Sequence, residues 1–205
     1  MKQARFAVLA LAALSLWASP VQAASYTVDS DHTTVSFKIR HLLSYVPGRF
    51  NQFEGNYIYD PDKPETWKAT MTAQAASIDT NVAARDKHLR SADFFNVEKF
   101  PTLSFTSTEV TDVTPTGAKL HGLLTLHGVE KPVVFDLEMH GTAKDPWGNR
   151  LSSFTATAVI NRKDFGLTWN QALETGQLLV GEEVQITLEV EGILQEEKPK
   201  QGGVQ

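Results

Sequence analysis

The sequence of 205 residues contains no cysteine. This absence excludes disulfide bonds, thiolate nucleophiles, cysteine-ligated zinc and iron–sulfur clusters. It also excludes the lipid-modified cysteine that anchors a bacterial lipoprotein. A chain of this size buries roughly 70% of the surface that its unfolded form exposes, so it can fold on its hydrophobic core without disulfides.

Basic residues are in the minority. The chain has 19 lysines and arginines against 24 aspartates and glutamates, a net charge of −5. A surplus of negative charge repels the phosphates of nucleic acids and the head groups of anionic membranes. We therefore expect no nucleic-acid partner.

Local catalytic motifs are lacking as well. The sequence has no nucleophile elbow, no zinc-protease helix motif, no phosphate-binding glycine-rich loop and no dinucleotide fingerprint. Its six histidines are scattered, and even His121 and His127, which share a strand face, would lie about 20 Å apart on a straight strand. We expect no catalytic residue, no metal and no cofactor, and the alternative is a hydrolase or isomerase assembled from dispersed groups.

Residues 1–23 are typical of a removable signal peptide. Lys2 and Arg5 precede an apolar run, Phe6–Trp17, and the segment ends in small residues at Ala23. A membrane anchor is the alternative, but this run is shorter than the ~20 residues needed to cross a bilayer, and a proline follows it. Cleavage would leave 17 basic against 24 acidic residues, as in an acidic exported protein.

Strand-like alternation of apolar and polar residues dominates residues 24–194, which we interpret as one domain. The alternation is clearest between Val184 and Glu191. About eight such segments occur, a number that closes into an antiparallel barrel able to hold one small ligand. The segment Thr80–Phe95 instead predicts a short helix across one end, with a polar cap at positions 79–81. Residues 195–205 are interpreted as a disordered tail.

Several aromatic residues fall on the inward face of the predicted strands. They are Phe37, Phe53, Tyr57, Phe105, Phe135 and Phe154. A barrel filled by its own side chains needs such residues. An open barrel lined by them would bind a long apolar molecule, at about 0.8 kcal/mol per buried methylene group. We favour the open barrel, because such a site needs no catalytic motif.

The segment from Arg85 to Phe95 has the highest density of functional side chains. One explanation is an ion pair between Asp86 and Arg90, which are one helical turn apart. The other explanation places Arg85, His88 or Arg90 at the barrel mouth, as charge-assisted donors to a polar or phosphorylated head group.

Five groups of residues, in order along the chain, resemble the YceI family. They are FKIRH with VPGRF in 37–50, DKHLRSADFF in 86–95, FPTLSF in 100–105, LLTLHG with KPV in 123–133, and NRKDFGL in 161–167. The resemblance implies a lipocalin-like antiparallel barrel exported to the periplasm. It further implies that the barrel interior binds a polyisoprenoid chain, such as a prenyl quinone or a prenyl phosphate.

Further ligand-binding residues are predicted beside those motifs. His41 ends the inward-facing run that includes Ile39, and is the polar residue that we place nearest the pocket. Trp169 is a candidate for the rim. Phe94 and Phe95 cannot both face inward on a strand, so one of them is expected to close the cavity.

The last motif predicts a tight turn. Arg162 and Asp164 are expected to form a structural ion pair on either side of it, and Gly166 is expected to adopt a positive φ.

The function predicted from the sequence is a periplasmic carrier that holds an isoprenoid lipid without transforming it. One alternative is an enzyme acting on a small apolar or isoprenoid substrate, with His41 and an acidic partner. The other is a stress-related interaction module, which would need exposed apolar patches that the alternating outer faces do not provide. No stable membrane anchor is expected, and a homodimer formed through an outer barrel face is compatible with the sequence.

Overall fold

The computed structural model describes residues 24–172, 174 and 178–195. The predicted signal peptide and residues 196–205 of the predicted tail lie outside the described residues. Within the described part the chain forms eleven strands and one α-helix, α1 (Ala83–Arg90). The strands are β1 (Ser25–Val28), β2 (Thr34–His41), β3 (Ser44–Phe50), β4 (Phe53–Ile58), β5 (Lys68–Gln74), β6 (Ile78–Asp79), β7 (Thr102–Thr111), β8 (Gly117–Leu126), β9 (Val129–Lys144), β10 (Arg150–Asn161) and β11 (Val180–Leu194).

Eight of the strands form a closed antiparallel ring. Their order is β1, β4, β5, β7, β8, β9, β10, β11 and back to β1. The short strand β1 closes the ring, because Tyr26 lies opposite Tyr57 of β4 on one side and Leu194 of β11 on the other. The predicted all-β fold, an eight-stranded antiparallel barrel with a short helix, is confirmed. No helix of the described residues has the length and apolar character needed to span a membrane.

Strand β11 has 15 residues and pairs with three other strands. One edge pairs with β10 from Leu151 to Asn161. The other edge pairs first with β2 and then, at its end, with β1. Strand β3 pairs with β2, and β6 pairs with β3 beside α1. This second sheet segment, formed by β2, β3 and β6, extends the wall of the barrel as far as α1.

The turn between β8 and β9 consists of His127 and Gly128, both with positive φ, of 53° and 74°. This combination is typical of a type I′ turn, whose twist matches the flanking strands. The turn between β9 and β10 is held by Asp145, whose carboxylate accepts hydrogen bonds from the backbone N–H groups of Trp147 and Asn149. The glycine and proline placement in both segments is typical of such turns.

Helix α1 begins after Val82, an aliphatic residue without a capping side chain, so the predicted polar cap is wrong. Its first turn is held by Asp86 instead. The buried Asp86 carboxylate accepts hydrogen bonds from the backbone N–H of Thr80, at 2.8 Å, and from the Thr80 hydroxyl, at 2.5 Å. The carboxylate also lies near the positive end of the helix dipole. Asp86 forms no ion pair with Arg90 in the described chain, which contradicts the first of the two explanations given for this segment.

One half of the barrel is filled by aromatic side chains. The rings of Tyr26 and Tyr57 stack with centroids 5.1 Å apart, and Phe154 meets Tyr57 edge to face at 5.2 Å. The Tyr57 hydroxyl donates to the Ser152 carbonyl at 2.8 Å and lies 2.8 Å from the Ser152 hydroxyl. Burial raises the pKa of the Tyr57 phenol, so the hydroxyl stays protonated and serves as a donor.

We expect Tyr57→Phe to lower the free energy of unfolding by about 1–3 kcal/mol, because it leaves the buried Ser152 carbonyl without its donor. Urea unfolding measures this loss. The control is Tyr45→Phe, since Tyr45 is 48% exposed; it should change stability by less than about 0.5 kcal/mol. Equal losses in the two variants would contradict a structural role for the Tyr57 hydroxyl.

A polar group joins the β1–β2 turn to β11 on the outer surface. The His32 Nδ1 lies 2.8 Å from an Asp29 carboxylate oxygen and 3.8 Å from a Glu191 carboxylate oxygen. The hydrogen bond with Asp29 raises the pKa of His32, and the same bond lowers the pKa of Asp29. Each partner therefore stabilises the charged form of the other.

The His32 contact predicts a pH-dependent part of the stability. Because the pKa of His32 is raised, its contribution is complete below the ordinary histidine pKa and is lost as the pH rises through the raised value. The contribution of Asp29 is complete above the ordinary aspartate pKa and is lost as the pH falls through its lowered value. NMR titration of His32 in Asp29→Asn should show a clear fall in its pKa. Asp31→Asn, which removes only a weaker Coulombic influence, should cause a smaller fall; a larger one would contradict the assignment.

Candidate functional site

The half of the barrel nearer α1 is open inside and contains a cavity of about 540 Å³. Strands of both sheet segments and the helix contribute to its walls. Its apolar lining includes Val35, Phe37, Ile39, Val46, Phe50, Met71, Leu103, Phe105, Leu124, Leu126, Phe135, Ile160, Val184, Ile186 and Leu188. A concave apolar space of this size is in the range of small-molecule binding sites.

Two aromatic rings of the wall lie over glycines of neighbouring strands. Phe37 of β2 lies directly opposite Gly48 of β3, and a Cβ atom built on Gly48 would collide with the Phe37 ring. The ring of Phe105 in β7 lies over Gly122 of β8, although the residue directly opposite Phe105 is Leu124. The glycines let these rings lie along the wall instead of crossing the interior, and this helps keep the cavity open.

Three rings meet where α1 crosses the barrel end. The His88 ring lies 5.0 Å from the Phe94 ring and 4.9 Å from the Trp169 ring, and Phe94 and Trp169 are 5.0 Å apart. The His88 Nε2 also contacts the Asp93 carboxylate at 3.0 Å. Phe95 packs edge to face on Phe50 at 5.7 Å.

The structure places most of the predicted ligand-binding residues on the cavity wall. These are Phe37, Ile39, His41, Phe94, Phe95, Phe105, Phe135 and Trp169, together with the head-group candidates Arg85 and His88. The expectation that only one of Phe94 and Phe95 faces the cavity is wrong, because this segment is a turn rather than a strand. Contact of these residues with a ligand remains a prediction.

Three predicted lining residues lie away from the cavity. Tyr57 and Phe154 point inward, as the alternation of residues along their strands predicted, but they belong to the filled half of the barrel. Phe53 is half-buried and packs against the small cluster of Phe50, Ala73 and Ile78. The alternation of residues along a strand indicates only whether a side chain points into the barrel. Where the cavity ends depends on how far the packed aromatic rings extend into the barrel.

Both arginines of α1 donate hydrogen bonds to backbone carbonyls. Arg90 donates through Nε to the Ala76 carbonyl at 2.7 Å and through Nη2 to the Ile78 carbonyl at 2.8 Å, so it ties the helix to β6 and does not line the cavity. Arg85 does line the cavity, and it donates to the hydroxyl and the carbonyl of Thr80, both at 2.7 Å.

Arg162 is a cavity residue that the sequence reasoning assigned to another role. It is only 3% exposed and lines the cavity. The predicted ion pair with Asp164 is wrong, because the guanidinium donates instead to the carbonyls of Gly181, Leu167 and Trp169. The positive φ of Gly166, 78°, is confirmed. A charged residue next to a turn motif predicts a surface position, so only the tertiary structure shows Arg162 to be buried.

The charged and imidazole side chains of the wall lie at one end of the cavity. Arg162 donates to the carbonyl of Gly181, and the neighbouring Val180 is paired with His41. Arg162 also donates to the carbonyl of Trp169, whose ring contacts His88. The cavity therefore has a basic end near α1 and an apolar body that runs toward the filled half, an arrangement suited to an amphiphilic molecule.

One group of possible metal ligands occurs among the described residues. Asp29, His32 and Glu191 offer ligand atoms within 4.8 Å of one another. They lie on the outer surface and do not line the cavity. Their mutual hydrogen bond and charge attraction account for their arrangement.

Residues 26–192 match the sequence profile of the YceI-like domain. The chain belongs to the YceI family. The match runs from β1 to β11 and so covers the whole barrel. The chain is also 41% identical over 198 residues to a UPF0312 protein of Pseudomonas putida, covering 95% of this chain and 100% of that protein.

Solved structures of YceI and related proteins share this architecture. A YCEI protein of Campylobacter jejuni superposes with a TM-score of 0.66 at 31% identity, covering 77% of this chain and 90% of that chain. A structure described as a polyisoprenoid binding domain from Saccharophagus degradans superposes with a TM-score of 0.59 at 14% identity, covering 83% of this chain and 98% of that chain. The second likeness shows a common fold.

The glycines beneath the wall aromatics provide a test of what keeps the cavity open. Gly48→Ala should cost about 1–3 kcal/mol of stability through overpacking and should push the Phe37 ring into the cavity, so that a crystal structure of the variant shows a smaller volume. The control is Gly192→Ala, whose methyl group would meet Tyr57 in the filled half. It should cost a similar amount and leave the cavity volume unchanged. An unchanged volume in Gly48→Ala would contradict this explanation.

Proposed function

We propose that the protein binds and carries a long apolar lipid of the isoprenoid class inside the barrel, without transforming it. The observation that carries this proposal is the apolar cavity enclosed by a closed sheet, with its charged side chains gathered at one end. Membership of the YceI family supports it. The polyisoprenoid-binding description of the structural neighbour from Saccharophagus degradans agrees with it.

The energetics of apolar burial are sufficient for such a site. Each methylene group transferred from water contributes about 0.8 kcal/mol, so ten of them contribute about 8 kcal/mol. That is the free energy of roughly micromolar binding, before the cost of association is subtracted. An isoprenoid chain can therefore be held with few polar contacts, and a prenyl quinone and a prenyl phosphate share this part of the interaction.

Binding without chemistry is favoured by the surroundings of His41, the candidate base of the enzymatic alternative. Among the described residues, no carboxylate lies within hydrogen-bonding distance of its ring. A general base normally needs a partner that orients it and tunes its pKa. The proposal accordingly includes no catalytic residue and no cofactor.

Action in the periplasm is part of the same proposal. It is supported by the signal-like composition of residues 1–23, by the surplus of acidic residues and by the absence of cysteine. A carrier that moves a lipid through an aqueous compartment needs an enclosed apolar site, because the chain would otherwise be exposed to water.

The proposal is tested by organic extraction of protein purified from its native compartment, followed by mass spectrometry. We expect an isoprenoid lipid from the wild-type protein and none from Ile186→Trp, which places a large ring in the cavity. The control is Val159→Trp on the outer face, where Val159 is 61% exposed; it should retain the lipid. Absence of lipid in the wild-type protein, or equal recovery from Ile186→Trp, would overturn the proposal.

A further inference from the structure

Large apolar side chains are exposed to solvent around the basic end of the cavity. Half of all the exposed large apolar side chains among the described residues lie there. Each of them is within two positions of a residue that lines the cavity, but none lines the cavity itself. We call this group the apolar rim, and its members are Leu42, Leu43, Tyr45, Val82 and Leu178. Packing of the cavity wall therefore does not account for these side chains.

The turn between β2 and β3 is the most exposed part of the apolar rim. It consists of Leu42 and Leu43, and Leu43 is 90% exposed. Leu42 has a positive φ of 52°, a conformation that glycine and asparagine adopt far more readily than a branched side chain. The backbone N–H of Leu42 donates to the Leu179 carbonyl at 3.1 Å, so this turn lies beside Leu178. Small polar residues normally occupy such a turn, and two leucines there indicate an apolar partner.

Positive charge lies next to the same turn. On the outer face of β2, the Arg40 guanidinium lies 5.4 Å from the centre of the Tyr45 ring, and the Lys38 ammonium lies 5.6 Å from it. Neither cation forms an ion pair within the part of the chain that the structure describes. Salt screens charges that are more than about 8 Å away. At the rim, these local cations therefore count for more than the negative net charge of the whole chain.

The shape and position of the apolar rim favour a lipid bilayer over a second protein. Stable protein interfaces are broad patches of apolar surface, whereas the rim consists of separate side chains on a turn, a helix start and a loop. Apolar side chains at the tip, with an aromatic ring and basic residues behind them, are the arrangement by which proteins bind the surface of an anionic membrane. The rim also surrounds the end of a cavity that is suited to a lipid.

We propose that the apolar rim docks transiently on an anionic lipid bilayer, so that the lipid passes between the bilayer and the cavity without crossing water. Leu42 and Leu43 enter the apolar side of the interface, and Tyr45 lies at the level of the head groups. Lys38 and Arg40 face the lipid phosphates. The small inserted area makes the binding reversible. This inference rests on the proposed function, because a lipid carrier must reach a membrane to load or release its cargo.

The first test places a fluorescent dye beside the tip. Because the chain has no cysteine, Ser44→Cys provides a single site for nitrobenzoxadiazole, a dye that brightens when it leaves water, and keeps the leucines. We expect its fluorescence to rise with vesicles of phosphatidylethanolamine and phosphatidylglycerol, and to rise less with vesicles of phosphatidylcholine. The matched control is Pro146→Cys, beside the 84% exposed Trp147 in the turn at the opposite end of the barrel; its dye should not respond.

The second test measures vesicle binding of unlabelled variants by flotation. Leu43→Ser should weaken binding at least about tenfold, because it removes a side chain that the bilayer would bury. Trp147→Ser, the matched control, should bind like the wild-type protein. Lys38→Gln should weaken binding to the vesicles with phosphatidylglycerol about fivefold and leave binding to phosphatidylcholine unchanged. Since Leu43 and Lys38 do not line the cavity, organic extraction should recover the same lipid from all of these variants.

The outcomes separate the docking surface from the proposed function. An absent dye response at Ser44→Cys, an equal response at Pro146→Cys, or full vesicle binding by Leu43→Ser would overturn the docking surface and leave the lipid carrier intact. Absence of extractable lipid in the wild-type protein would overturn the carrier instead. A wild-type dimer that Leu43→Ser converts to a monomer in sedimentation, without any vesicle binding, would assign the rim to a second copy of the chain and overturn the inference.

Discussion

Closure of the sheet through β11 is the constraint on which the interior depends. This strand pairs with β10 on one edge and with β2 and then β1 on the other, so the ring has no free end that could open or slide. A closed barrel of eight strands has an interior just wide enough to be filled by side chains or to hold one small ligand. Once the ring is closed, the sizes of the inward residues alone decide which of these two states each layer adopts.

The protein uses both states, one in each half. Toward one end, Tyr26, Tyr57 and Phe154 pack ring against ring and fill the cross-section. Toward the other end, Phe37 and Phe105 lie over glycines, and the centre stays open. The aromatic packing of the filled half contributes to the core that a chain without disulfides needs, which allows the other half to remain open. The filled layers of the barrel thus stabilise the fold, and the open layers contain the cavity.

Alternation in the sequence was sufficient to predict the barrel, because an antiparallel strand with one buried face has a period of two residues. It failed for β3, which contains Pro47 and Gly48, two residues that are depleted in strands. Pro47 lies opposite Lys38 of β2, and β6 pairs with β3 only at Arg49 and Phe50, so the other edge of β3 has no paired strand at Pro47 among the described residues. The alternation also predicted that both Phe37 and Tyr57 point into the barrel, but it did not distinguish the open layers from the filled ones. That difference depends on how the rings pack against one another across the interior, which the alternation does not show.

The net charge of the chain and the charge inside the cavity have opposite signs. The chain has more acidic than basic residues, yet its most deeply buried cation, Arg162, lies on the cavity wall. A surplus of acidic residues weakens adhesion to anionic membrane surfaces, whereas water and salt screen the charge of a buried cation less than that of an exposed one. Arg162 can remain buried because its guanidinium donates hydrogen bonds to three backbone carbonyls.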